Sequence, residues 1–110
     1  MEFRPIPRKA LPHTVEYKKP KGKPDVWGEQ ETETLTLKHV YLEPRSELDQ
    51  MGINTQENFR AVMYWDSTHS TPAEFESGAE IVFNGKVFKI KSFEEWYAGE
   101  RLHHIRLILE

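Results

Sequence analysis

The stretch VFNGKVFKI, from Val82 to Ile90, places the strongest constraint on what this chain can fold into. Two short apolar runs flank Asn84-Gly85, the residue pair that best tolerates positive φ at both central positions of a type I′ turn. The spacing therefore predicts a β-hairpin with a two-residue turn. One face of this hairpin is apolar and suited to a core, and it carries Ala79, Ile81, Phe83, Phe88 and Ile90.

Four further segments show strand patterns and are separated by turn residues. They are residues 13–18, 31–43, 59–66 and 101–110. Loops are predicted at residues 19–30, 44–58 and 67–78, and a connection, with or without a helical turn, at residues 93–100. Because no long amphipathic helix pattern is present, we predict an all-β fold, a small antiparallel barrel or sandwich of about six strands with long loops. Residues 13–110 form its single domain, and residues 1–12, with three prolines, form an extended N-terminal arm.

The segment ETETLTLKHVYLE changes the parity of its apolar residues along its length. Leu35 and Leu37 share one face of a strand, whereas Val40 and Leu42 fall on the other face. Two structures fit this pattern. One is a β-bulge near Lys38-His39 that returns all four residues to the same face, and the other is a strand covered on both sides.

Length and composition restrict the class of protein. A chain of 110 residues is large enough for one domain with one modest core. There is no cysteine, so neither disulfides nor thiolate metal sites are possible. The N-terminal sequence lacks the apolar run of a secretory signal, and no apolar run approaches the ~20 residues of a membrane-spanning helix. These features predict a soluble protein.

The charges are distributed unevenly. Before Asp25 there are seven bases and two acids, whereas from Asp25 onward acids outnumber bases two to one. A basic segment on an acidic body is either a solvated arm or a contact for nucleic acid or an acidic protein surface. The acidic body argues against wrapping of DNA, which needs a continuous basic face.

A search for catalytic or metal-binding residues finds no convincing set. His103 and His104 are adjacent, so on a regular strand their side chains point to opposite faces and cannot share an ion. The other three histidines lie in separate segments. Asp66, Ser67 and His69 are the residue types of a catalytic triad, but within STHSTP they are better interpreted as turn formers. We therefore expect no enzyme activity, no metal and no cofactor.

A set of short motifs occurs in order along the chain: PIPRKALPHTVEYKKPKG, Trp27-Gly28, LTLKHVYLEP, HSTPAEF, IVFNGKVFKI and LHHIRLIL. In this ordered set the chain resembles, nearly end to end, the small minor capsid proteins in the structural cassette of tailed phages and prophages of Gram-positive bacteria. The resemblance implies a component of the head–tail connector, similar to the stopper or head-completion subunits that form a ring beneath the portal.

The partners that the resemblance implies are copies of the chain itself, portal or adaptor proteins and tail-completion proteins. Packaged DNA passes such a ring with passive contact, and neither a membrane nor a small-molecule substrate is implied. The expected location is the virion, reached from the host cytoplasm. The loops at residues 19–30 and 44–58 are expected to become ordered on assembly, one of them lining or closing the channel. Candidate assembly residues are Arg4, Arg8, Lys9, Lys18, Lys19, Lys21, Lys23, Trp27, Met51 and Ile53.

A different class of function remains open from the residues alone. A small β-barrel that binds single-stranded nucleic acid could use Lys18, Lys19, Lys21 and Lys23 against phosphates, with Trp27 as a stacking group.

Overall fold

The computed structural model describes residues 6–21, 31–44 and 60–110, and within them the chain forms a short 3-10 helix and six strands. The 3-10 helix (Arg8–Ala10) comes first. The strands are β1 (His13–Lys21), β2 (Glu31–Pro44), β3 (Ala61–Asp66), β4 (Glu80–Phe83), β5 (Lys86–Ala98) and β6 (Arg101–Leu109). They pair antiparallel in the order β1-β2-β3-β6-β5-β4 and close into a barrel. The predicted all-β, antiparallel fold is confirmed, and of the two architectures it is the barrel.

The Asn84-Gly85 hairpin has the predicted turn and register. Both turn residues have positive φ, 50° for Asn84 and 78° for Gly85. Strand β4 then pairs with β5 from Glu80 opposite Lys89 to Phe83 opposite Lys86. The face predicted to be apolar lies in the barrel core, with Ile81 and Ile90 at most 1% exposed.

A β-bulge at His39 explains the parity change in β2. His13 of β1 pairs with Val40, while the next residue, Thr14, pairs with Lys38, so His39 is the extra residue. His39 has a φ of 60°, in the left-handed region that few non-glycine residues adopt. Because the bulge inserts one residue, the apolar residues on both sides of it face the interior. Leu37, Val40 and Leu42 are at most 2% exposed, and Leu35 packs against the same core.

The core fills the barrel with inward-facing side chains from all six strands. The segment between β3 and β4 contributes Phe75, whose ring stacks on Tyr17 at 5.2 Å and meets Trp65 edge-on at 5.8 Å. The Tyr17 hydroxyl donates to the Glu74 carbonyl at 2.8 Å and accepts from the Glu76 amide at 3.0 Å. Burial raises the pKa of Tyr17, which keeps the hydroxyl protonated and able to donate. One phenol therefore attaches the 71–78 segment to β1.

Strand β3 is apolar on both faces, as is common for a strand covered on both sides. Met63 and Trp65 point into the core, and Val62 forms a second buried cluster with Ile108 of β6, against which Tyr64 packs. The neighbours of β3 in the sheet are β2 and β6.

Two predicted boundaries are wrong. The first strand does not end at residue 18 but continues to Lys21, because the Lys- and Pro-containing segment pairs with residues 31–34. Residues 93–98 are not a connection: they continue β5, and Gly99-Glu100 form a turn to β6. Gly99 has a φ of 68° whereas Glu100 is outside the positive-φ region, which is the pattern of a type II′ hairpin turn.

The predicted division into an arm and a domain stays a prediction. Within the described part of the arm, residues 8–10 form the 3-10 helix and Leu11 is only 1% exposed. Most of the predicted loops at residues 19–30 and 44–58 lies outside the described residues. In the part of the chain that is described, no helix is long and apolar enough to cross a membrane.

Replacing Gly85 by alanine should lower the free energy of unfolding by about 1–2 kcal/mol, because an L-residue is strained at this φ. No atom lies within 4 Å of the position that the new Cβ would take, so the cost is one of backbone conformation and not of collision. Urea denaturation measures the change. Asn84→Gly is the matched control and should be nearly neutral, and equal stability of Gly85→Ala and the native chain would contradict the turn assignment.

Replacing Tyr17 by phenylalanine should lower the free energy of unfolding by about 1 kcal/mol, because two backbone groups of the 71–78 segment lose their partner. The control variant is Tyr97→Phe. The hydroxyl of Tyr97 lies at the surface, so its removal should change the free energy of unfolding by less than about 0.5 kcal/mol. If the two variants are equally stable, the hydroxyl does not hold the segment.

Candidate assembly surface

Four of the predicted assembly residues have described side chains. Arg8 and Lys9 lie on the 3-10 helix and are exposed, whereas Lys18 and Lys19 lie on β1 and are half-buried. Lys21 ends β1, and only its backbone is described. The remaining candidates lie outside the described residues: Arg4, Lys23, Trp27, Met51 and Ile53.

The lysines of β1 do not form a continuous basic face. In the strand register Lys19 lies opposite Glu33 and Lys21 opposite Glu31, both on β2. Lys18 lies opposite Glu80 of β4. Directly opposed residues on neighbouring strands share a face of the sheet, so Lys18 and Lys19 each have a carboxylate as a cross-strand neighbour. These two lysines therefore do not form an uninterrupted basic surface.

The segment before β1 is attached to the barrel mainly through its backbone. The Ile6 amide donates to Asp66 Oδ1 at 3.1 Å, and the Ile6 carbonyl lies 2.9 Å from His69 Nδ1. Arg8 Nη2 lies 3.1 Å from Nε2 of His39, at the bulge of β2. Together with burial of Leu11, these contacts fix the segment while its basic side chains stay exposed.

The Asp66–Ser70 turn uses its polar groups to organise this attachment. Asp66 is fully buried, and its Oδ2 accepts from the amides of Thr68 and His69 at 3.0 and 2.8 Å. Ser70 Oγ donates to the His39 carbonyl and accepts from the Asp66 amide at 2.9 Å. The Ser67 hydroxyl donates to the His103 carbonyl at 2.9 Å. These bonds are those of a turn, as the sequence indicates, and the hydroxyl of Ser67 is not aligned with His69 as in a triad.

Two exposed aromatic side chains, on opposite faces of the strand, lie on β5 close to the turn into β6. Trp96 is 52% and Tyr97 58% exposed, and two carboxylates precede them on the strand. We define the aromatic tip as Glu94, Glu95, Trp96 and Tyr97. Its side chains are oriented by neighbours: the Trp96 ring stacks on His104 with centroids 5.8 Å apart, and the Tyr97 hydroxyl donates to Glu95 Oε2 at 2.7 Å. That hydrogen bond also raises the pKa of Tyr97.

The expectation that His103 and His104 point to opposite faces is wrong. Their Nδ1 atoms are 2.8 Å apart and their rings meet edge to face. The reason is a β-bulge between β5 and β6, because Trp96 pairs with His104 while Tyr97 pairs with Leu102, which leaves His103 as the extra residue. Among the described residues no group of three or more side chains of metal-binding type comes together.

The sequence did not identify the aromatic tip, because the segment was interpreted as a connection. The signal was present in Gly99-Glu100, since glycine at the first of two turn positions is typical of a type II′ hairpin. From that turn β5 runs back towards residue 92 and β6 runs forward from residue 101. With His103 as a bulge residue in β6, Trp96 lies opposite His104.

Stability should fall when the pH is lowered below the ordinary pKa of histidine, and His104 should contribute to that fall. Burial, and then the neighbouring His103, lower the pKa of His104 from 6.5, while Asp66 acts in the opposite direction. Between the lowered value and 6.5 the unfolded chain binds more protons at this site, so the free energy of unfolding decreases with decreasing pH. His104→Asn should lose less stability than the native chain between about pH 7.5 and about pH 5.5, measured by urea denaturation. An unchanged loss in the variant would contradict this assignment.

Comparison with known proteins gives one match. The family described as "Minor capsid protein" matches residues 7–107, which include all six strands except the last two residues of β6. Neither a curated protein nor a solved structure matches the chain. The matched range contains the bulged strand β2, the Asn84-Gly85 hairpin and the aromatic tip. The chain therefore belongs to the minor capsid protein family.

Proposed function

We propose that this chain is a subunit of the phage head–tail connector, of the stopper or head-completion type, which assembles as a ring beneath the portal. Membership of a capsid protein family associates the chain with the virion. The proposal adds the position within the virion, the ring, and contacts with portal or adaptor and tail-completion proteins. It also includes synthesis in the host cytoplasm before assembly, and a structural, non-catalytic role.

The observation that carries the proposal is the presence of two unlike exposed surfaces on different strands of the barrel. The basic residues Arg8 and Lys9 lie beside β2, where Arg8 contacts His39. The aromatic tip lies on β5. In the order β1-β2-β3-β6-β5-β4, β2 and β5 are three positions apart in both directions. A ring requires this arrangement, because head-to-tail contacts use two different surfaces of each subunit.

A nucleic-acid-binding function is less well supported by the described residues. The β1 lysines lie opposite glutamates, and phosphate binding needs a basic face that is not neutralised by its neighbours. Phe88, which precedes Lys89 in the hairpin, is only 5% exposed and belongs to the core. It is therefore not available to stack on a base.

The test is assembly on the portal. The purified chain should bind the portal protein encoded by the same phage or prophage, with the adaptor protein added where one is encoded, and cryo-electron microscopy should show a ring of barrels below the portal. The chain without portal is the control for self-assembly. Binding of the chain to the outer shell, or the absence of any ring below a portal that is otherwise complete, would contradict the connector role.

A further inference from the structure

The edge of β5 has no strand partner along its second half within the described residues. Pairing with β4 ends at Glu80 opposite Lys89, and the last backbone bonds on that side join Ile90 to Gly78 and Ala79. Pairing with β6, on the other side, continues to Ala98 opposite Arg101. Because the peptide groups of an antiparallel strand alternate between its two sides, part of the β5 backbone from residue 92 to 98 faces away from β6.

The charges on this edge are typical of a strand protected from uncontrolled pairing, since charged side chains and bulges are common on edge strands. Glu94 also forms an ion pair with Arg106, with 3.7 Å between Oε2 and Nη1. Protection does not explain the two large aromatic side chains that are more than half exposed. Tryptophan and tyrosine, held in one orientation beside charged residues, are the residue types that dominate the energy of protein interfaces.

The side chains of the N-terminal segment are complementary to this surface. We define the arm surface as Pro7, Arg8 and Lys9, all of them exposed. Its backbone is held by the contacts of Ile6 with Asp66 and His69, so the side chains are presented without unfolding of the segment. Arginine and lysine bind over the faces of tryptophan and tyrosine and pair with carboxylates, and proline packs on aromatic rings.

We propose that the aromatic tip of one copy of this chain binds the arm surface of the next copy. The proposal rests on the proposed ring function, and it names the two halves of the contact between subunits. Side chains alternate along β5, so Glu94 and Trp96 share one face of the strand, while Glu95 and Tyr97 share the other. Trp96 packs against Pro7 and the aliphatic part of Arg8, and Glu94, on the same face, pairs with Lys9 of the neighbour. Since the two halves of the contact are different surfaces, one beside β2 and one on β5, each copy offers one half to each of its two neighbours.

A cross-linking experiment tests the contact in the full-length chain. Isotope-labelled and unlabelled copies are mixed, alone and with portal, and treated with a carbodiimide, which joins carboxylates to lysine amines that touch them. Mass spectrometry should find a mixed-isotope link between Lys9 and Glu94, the carboxylate on the same face of β5 as Trp96. Trp96→Ala should reduce its yield at least about tenfold, the effect of losing one central aromatic contact. Val87→Ala is the matched control, because Val87 is 50% exposed on the same strand but outside the tip, and it should leave the yield unchanged.

Exchange of charges makes the test independent of folding defects in a single variant. One variant carries Arg8→Glu with Lys9→Glu, and a second carries Glu94→Lys with Glu95→Lys. Each should fail to self-associate in sedimentation velocity and on the portal, because two surfaces of like charge then meet. A mixture of the two variants should restore association. In one contact the acidic arm surface of the first variant meets the basic tip of the second, and in the other contact the native arm surface of the second meets the native tip of the first. Failure of the mixture, with both variants folded by circular dichroism, would overturn the proposal.

The outcomes separate this contact from the connector role. If the native chain forms a ring on the portal and the Trp96→Ala and charge variants do so equally well, the connector role stands and the contact is wrong. If the native chain forms no ring but the Lys9 cross-link and its dependence on Trp96 are found, the chain associates through these surfaces without being a connector.

Discussion

Pairing of β1 with β4 is the constraint on which the rest of the structure depends, because it closes the sheet. Only three residue pairs make this contact, from Glu16 opposite Val82 to Lys18 opposite Glu80. Closure removes two open edges and surrounds the core with strands on all sides. The Asn84-Gly85 turn makes closure possible, since it returns the chain so that short β4 lies between β1 and β5.

The short length of β4 determines which parts of the sheet stay outside the closure. Strand β5 has 13 residues and β4 has 4, so β5 continues past β4, where β6 is its only neighbour among the described residues. That extension carries the aromatic tip. Within the described part of the chain, the barrel thus presents a strand with an unpaired edge and exposed rings, features that another chain can bind by adding a strand.

A second organising element is the polar junction formed by the bulge of β2, the Asp66–Ser70 turn and the residues before β1. Asp66 accepts three backbone amides, two from its own turn and one from Ile6, and Ser70 connects the turn to His39. A buried carboxylate requires such donors, and they specify one position for the N-terminal segment. The orientation of the basic arm surface therefore depends on a turn that is distant from it in the sequence.

The sequence by itself determined the all-β class and the hairpin register, because these follow from alternation and local turn chemistry over a few residues. For the parity change in β2 it left two structures open, a bulge near Lys38-His39 and a strand covered on both sides, and the strand pairing decided for the bulge. It did not predict the full length of β5, because the type II′ turn at Gly99 is not apparent from the flanking residues and Glu94-Glu95 is not typical of a strand interior. Only the tertiary structure decided that the β1 lysines lie opposite glutamates and that His103 and His104 touch. It also decided that Arg8 lies beside β2 while Trp96 lies on β5, three strands away in the sheet. These are relations between strands, and strand order is fixed by closure and core packing, which involve residues far apart in the chain.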